Sequence, residues 1–215
     1  AKGTMLRGVA KAYAGPTYFV TLPGNKIKKI SDLSGKKVAM GPPGSGTVFN
    51  CTNMLKAAGN LNKIKASYLT FADAGRALAN GQVDAICQSS APAAAVKELA
   101  ETKGAVVIPF TDAQLDTISK SGYSTGTMPA GTYKGVPAVK LPYLTVYWVA
   151  HERVSAKAVE DILNLVYQPD IKAKLAAGHK AWKQMAPETK NFEALGVPMH
   201  PGAVAYYKSK GLYHK

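Results

Sequence analysis

The sequence predicts an α/β protein built on a largely parallel sheet, and three observations predict it. Short runs of apolar and β-branched residues alternate with longer segments whose apolar residues recur at helical spacing. The connections between them are short and marked by Gly, Pro and Asn. Between Lys36 and Thr47, a strand, a glycine-rich loop and a helix follow one another without a spacer. Open sheets of this kind bind ligands beyond the carboxyl ends of their strands, near the switch in strand order.

That stretch organises the chain. Val38, Ala39 and Met40 read as buried strand, which Gly41-Pro42-Pro43-Gly44-Ser45-Gly46-Thr47 cannot continue. From Val48 the period changes, with Val48, Cys51, Leu55 and Ala58 on one helical face. The order aims the free N–H groups of the helix's first turn, and the positive end of its dipole, above the strand. Small residues let a ligand's oxygens approach that backbone. Gly44, Ser45, Gly46 and Thr47 are therefore the first candidate ligand contacts. The loop resembles a nucleotide-binding G-x-x-x-x-G-K-[ST] motif only superficially. Thr47 follows Gly46 directly, and the lysine that would reach the phosphates is absent.

The other elements follow in order. Gly8–Ala12 and Thr17–Leu22 read as two strands separated by Gly15-Pro16. Gly59-Asn60 closes the helix after the cradle, and Ser67–Phe71 reads as the next strand. A helix over about 72–79 stops at Asn80-Gly81. Val83–Cys87 is a further strand, followed by Gln88-Ser89-Ser90-Ala91-Pro92 and an alanine-rich helix to about Thr102. Ala105–Pro109 completes a β-α-β-α-β-α-β series, which implies right-handed crossovers. Gln88, Ser89 and Ser90 form the second polar strand end and pair naturally with the cradle. Beyond Phe110 the pattern loosens: a short helix over 112–119, a loop through Tyr133, and an aromatic strand over 143–150. Ser155 then caps a helix with the stripe Val159, Ile162, Leu163 and Val166. A further helix ends at Gly178, and a final one runs through Tyr206 and Tyr207.

The 215 residues suit one substantial domain or two small ones, and a hydrophobic fraction of 47% supports a real core. No apolar run is long enough to span a bilayer, so direct membrane insertion is not expected. The formal charge of +14 is spread along the chain rather than gathered with aromatics on one stripe. It reads as a solvated surface whose field favours small anions, not as a nucleic-acid footprint. Cys51 and Cys87 form no metal or Cys-x-x-Cys spacing, and the expectation is two separate buried thiols.

Enzymatic constellations are incomplete. His151-Glu152 begins like H-E-x-x-H, but Ser155 stands where the second histidine belongs. His179 follows a helix-ending glycine, and His200 lies between Met199 and Pro201, where a structural role is expected. No serine lies in G-x-S-x-G, and Asp73, Asp84 and Glu98 show no paired-carboxylate logic. The expectation is a binding protein, not an enzyme, without metal or cofactor.

Several stretches recur together in a known family. They are Asp32-Leu33-Ser34-Gly35-Lys36-Lys37-Val38, the loop Gly41–Thr47, Gly81-Gln82-Val83-Asp84-Ala85, Pro129-Ala130-Gly131-Thr132-Tyr133, and Gly196-Val197-Pro198-Met199-His200-Pro201-Gly202-Ala203. In this order and spacing the chain resembles the TAXI-type solute receptors of TRAP transporters. The resemblance implies an α/β, type II periplasmic-binding-protein fold, with two lobes of mainly parallel sheets joined by crossing strands. Lobe one would hold residues 1–30 and 143–215, and lobe two residues 31–142. It implies a periplasmic receptor that closes on a small carboxylate (glutamate, glutamine or a 2-oxo acid) and delivers it to TRAP membrane subunits. Tyr133 on a lobe-two loop and Tyr18 on a crossing strand join the candidate contacts. Such receptors carry a further N-terminal stretch before the equivalent of Ala1. Without it, self-association through the uncovered helices after Ser155 is expected. A ligand-sensing effector module of the same fold is the alternative function.

Overall fold

The structure, a computed structural model, describes residues 5–187 and 196–213. The chain divides into a central unit, Gly15–Leu144, and a terminal unit made of Ala1–Ala14 with Thr145–Lys215. Two long strands run from one unit into the other: β1 (Leu6–Thr21) and β7 (Val139–His151).

In the central unit, β2 (Lys37–Ala39) lies between β3 (Lys65–Ser67) and β4 (Ala85–Ser89), parallel to both. Parallel neighbours need a crossover. It is supplied by α1 (Gly46–Ala57) after β2 and by α2 (Phe71–Ala79) after β3. β1 then runs antiparallel to β4 on one side and to β5 (Val106–Ile108) on the other. α3 (Ala94–Thr102) links β4 to β5, α4 (Asp112–Ser119) follows, and β6 (Ser124–Met128) pairs antiparallel with the start of β7. Asp84 pins the register of three strands. Its carboxylate accepts the Lys37 N–H at 2.8 Å, and its carbonyl accepts the Thr21 hydroxyl at 2.7 Å. One apolar cluster fills this unit, with Phe19, Val38, Met54, Leu55, Leu78 and Ile86 fully buried.

The terminal unit packs α5 (Ala156–Val166) and α7 (Pro201–Ser209) around a second cluster that includes Val9, Leu163, Met185, Tyr206 and Tyr207, and α6 (Pro169–Gly178) follows α5 without a buried residue of its own. Ser155 caps α5 as its sequence position suggests, accepting the Ala158 N–H at 3.1 Å. Gly202 is where α7 meets α5: a Cβ there would lie 2.1 Å from the Ala156 carbonyl oxygen. No helix among the described residues is long and apolar enough to cross a membrane.

The structure departs from the sequence reading in five places. Cys51 and Cys87 are not separate thiols: they form a disulfide, with Cα atoms 6.3 Å apart, that ties α1 to β4. β1 is one continuous strand across Gly15-Pro16. Proline's missing N–H is tolerable here because its carbonyl does the pairing, accepting the Ser90 N–H at 2.8 Å. Gly15 also lets that loop approach, since a Cβ on it would sit 3.0 Å from Ser90 Cβ. The strand expected at Ser67–Phe71 ends at Ser67, because Thr70 turns to cap α2, accepting the Asp73 N–H at 3.2 Å. Gln88 and Ser89 lie within β4 rather than in the loop after it. β6 has no strand pattern in the sequence, since its run Ser-Thr-Gly-Thr-Met carries a single buried side chain.

Candidate functional site: the carboxyl edge of the central sheet

The parallel strands β3, β2 and β4 end at one edge of the central unit, and α1 and α2 begin there. At that edge Gly41 has φ +107° and Gly44 has φ +72°, a backbone that only glycine adopts without strain. A Cβ on Gly41 would press against Thr47 Cγ2 at 3.1 Å, so the strand end and the first turn of α1 touch through a missing side chain. Ser45 is the N-cap of α1, and its hydroxyl accepts the Val48 N–H at 3.3 Å. The Gly46 and Thr47 N–H groups precede any carbonyl they could meet within the helix. Gly44 and Gly46 are exposed, Ser45 is half-buried and Thr47 is buried. The result is two amides without an acceptor inside the helix, one capping hydroxyl and the positive end of a helix dipole at the end of β2.

The second strand end lies beside the first. Val38 pairs with Ala85 and Ala39 with Ile86, so continuing the register puts Gln88 level with Gly41. The disulfide at Cys87, one residue earlier, holds β4 to α1. Ser89 pairs with Thr17 across β1 and β4, their hydroxyls 3.3 Å apart. Gln88 is 2% exposed, and its Nε2 meets no hydrogen-bond partner. Ser67 Oγ, at the end of β3, is buried and likewise without a partner.

Tyr18 and Tyr133 are also brought together, but inside the core. Both are essentially unexposed, and their hydroxyls bond to each other. Tyr133 accepts the Ala93 N–H at 2.7 Å, and Tyr18 donates to the Ser90 carbonyl at 3.3 Å. Taken in order, Ala93 N–H, Tyr133, Tyr18 and the Ser90 carbonyl form one chain of donors and acceptors. It braces the turn after β4, where Ser90 sits at φ +66°. Burial pushes both phenols above their ordinary pKa. Thr17 and Ala93 complete this arrangement, and neither stood out in the sequence. Their partners come from strand pairing, which no local pattern encodes.

His200 and His179 occupy capping positions. His200 is buried at the N-cap of α7. Its Nδ1 accepts the Gly202 N–H at 3.2 Å, so the other ring nitrogen carries the proton and donates to the Val154 carbonyl at 3.0 Å. His179 caps the turn over 180–184, accepting the Ala181 N–H. Glu152, beside His151, pairs with Arg7. Among the described residues, no group of three or more His, Cys, Asp or Glu side chains could hold a metal ion.

A family comparison decides the classification: the NMT1-like family matches residues 1–211. The chain belongs to the NMT1-like family. Its α/β fold is also that of periplasmic binding proteins of known structure. Tv2483 bound to L-arginine matches with a TM-score of 0.51 at 11% identity, over 84% of this chain and 61% of that one. A putative L-cystine ABC transporter protein from Listeria monocytogenes matches at 0.49 and 15% identity, over 83% and 64% of the two chains. The periplasmic aliphatic sulphonate binding protein SsuA from Escherichia coli matches at 0.46 and 20% identity, over 98% of this chain and 56% of its own. The NMT1-like chain thus spans less than two thirds of the length of each.

Proposed function

We propose that this NMT1-like chain belongs to an extracytoplasmic solute receptor that takes a small carboxylate at the N-terminus of α1 and passes it unchanged to a membrane transporter. The observation that carries this reading is the cradle itself. Gly41, Gly44 and Gly46 clear the approach, and the Gly46 and Thr47 amides are left for an oxyanion at the positive end of a helix of twelve residues. Gln88, Ser89 and Ser90 line the neighbouring strand end as further contacts, and the Tyr18–Tyr133 pair holds that turn in shape. The Cys51–Cys87 disulfide suits an oxidising compartment such as the periplasm. Delivery to TRAP-type membrane subunits is the finer part of the reading, supported by the resemblance of five sequence stretches to TAXI-type receptors. Binding of arginine and sulphonates by structural neighbours is compatible with a solute-receiving edge.

The test is Ser45→Asp. Aspartate is itself a favoured N-cap, so α1 keeps its stability. Its carboxylate would occupy the cradle and repel an anionic solute. Charge-assisted hydrogen bonds contribute roughly 1.5–3 kcal/mol each and the dipole about 0.3–1 kcal/mol. Calorimetric titration with glutamate, glutamine and 2-oxoglutarate should therefore show binding to the wild-type protein and at least a tenfold loss in the variant, with an unchanged Tm. Equal binding by both proteins would remove the cradle as the anion site.

A further inference from the structure

We propose that the edge of the central sheet opposite the cradle docks on an anionic phospholipid surface through a cluster of unpaired lysines. β2 and β3 start at this edge, and β1 ends there, since Thr21 pairs with Ala85 at the start of β4. Residues 25–37 and 60–65, which lead into these strands, hold seven lysines, no arginine, no aromatic residue and one acid, Asp32. Backbone pairing draws the two segments together. Lys37 lies level with Lys65, the Lys65 N–H donates to the Lys36 carbonyl at 2.8 Å, and the Gly35 N–H donates to the Lys63 carbonyl at 2.6 Å. Asn60 Nδ2 donates to the Ile30 carbonyl at 2.6 Å, which brings the turn carrying Lys28 and Lys29 to the same edge.

Lys36 is half-buried and the other six lysines are exposed. Among the described residues none of the seven forms an ion pair, whereas Arg76, Lys134 and Lys140 of the same unit each do. The carboxylates bonded to these segments are held by backbone: Asp32 accepts the Lys28 and Lys29 N–H groups at 2.9 and 3.2 Å, and Asp84 accepts that of Lys37. Seven lysines against these two acids leave five positive charges in excess. Like charges gathered on one edge repel, and a negatively charged surface relieves that repulsion. The composition points to lipid rather than to protein. Protein interfaces are anchored by Trp, Tyr and Arg and depleted in Lys. The exposed large apolar residues of this unit, Phe49, Tyr68 and Phe71, lie at the opposite edge. Lysine is a hydrated point charge on a flexible stem, which suits headgroups whose positions are not fixed. A cluster of about four to eight basic side chains is the pattern that holds to anionic headgroups.

Vesicle flotation of the purified protein tests this, with phosphatidylglycerol mixed into phosphatidylcholine against phosphatidylcholine alone. Binding is expected to the anionic vesicles only, weakening at least about tenfold as salt rises from about 0.02 to about 0.3 M. The triple variant Lys37→Gln, Lys63→Gln, Lys65→Gln should lose at least about tenfold in vesicle affinity. Lys97→Gln, Lys180→Gln, Lys183→Gln removes the same charge from exposed positions elsewhere on the chain. That variant should lose less than about threefold, with circular dichroism confirming the fold of both. Equal binding to the two kinds of vesicle, equal losses in the two variants, or no binding to anionic vesicles at low salt overturns the proposal. So does tighter binding to polyglutamate than to the anionic vesicles, which would assign the edge to an acidic protein partner.

Discussion

Tyr18 and Tyr133 set the residue scale, because their hydroxyls do two things at once: they satisfy each other and they fix the turn at Ser90. The sequence singled out both tyrosines as residues able to offer a hydroxyl. Their burial could not be read there, since it depends on β1 lying between β4 and β5. Burial raises both pKa values, so the folded protein holds these protons to higher pH than the unfolded chain, whose phenols titrate near 10. In that range the native state binds more protons, and stability must fall as pH rises. The expected melting temperature is insensitive to this pair below about pH 10 and declines above it toward the folded pKa values. Tyr133→Phe, followed by thermal melts between pH 8 and 11.5, should flatten part of that decline; an identical decline would assign it elsewhere. Gly41 gives a second residue-scale prediction. Gly41→Ala must hold φ +107° with its Cβ 3.1 Å from Thr47, a strain of about 1–3 kcal/mol that urea denaturation would read.

At the scale of elements, the cradle was legible because its signals are local: strand, glycines, cap and helical period occupy consecutive positions. Facing was not. Cys51 on α1 and Cys87 on β4 are 36 residues apart, and whether they meet depends on which way each element turns. Once α1 covers the Cys87 face of β4, the pair closes. A disulfide enclosing a loop of this length stabilises a fold by about 2–4 kcal/mol. Replacing both cysteines by serine should lower the unfolding free energy by that amount, measured by guanidinium titration. Because neither cysteine is more than 1% exposed, dithiothreitol should leave the bond intact in the native protein and reduce it in denaturant. Ready reduction under native conditions would contradict the buried placement. The same dependence on pairing explains β1, which reads as two strands in sequence and forms one in the fold.

At the scale of the whole molecule, two apolar clusters serve two units of one chain. Gly202→Ala would force a Cβ against the Ala156 carbonyl, an overpacking cost of about 1–3 kcal/mol or more. Faster hydrogen exchange should follow in Ala156–Val166 and Pro201–Ser209, with little change at Phe19 or Ile86 in the other cluster. In the central unit the proposed function comes down to one placement: the N-terminus of α1 receives the carboxylate. The most direct measurement follows the backbone amide resonances during a titration with 2-oxoglutarate. Saturable downfield shifts of the Gly46 and Thr47 amide protons are expected, the largest in the protein, with none during a matched titration with sodium chloride. Saturable binding that leaves those two amides unmoved would contradict it.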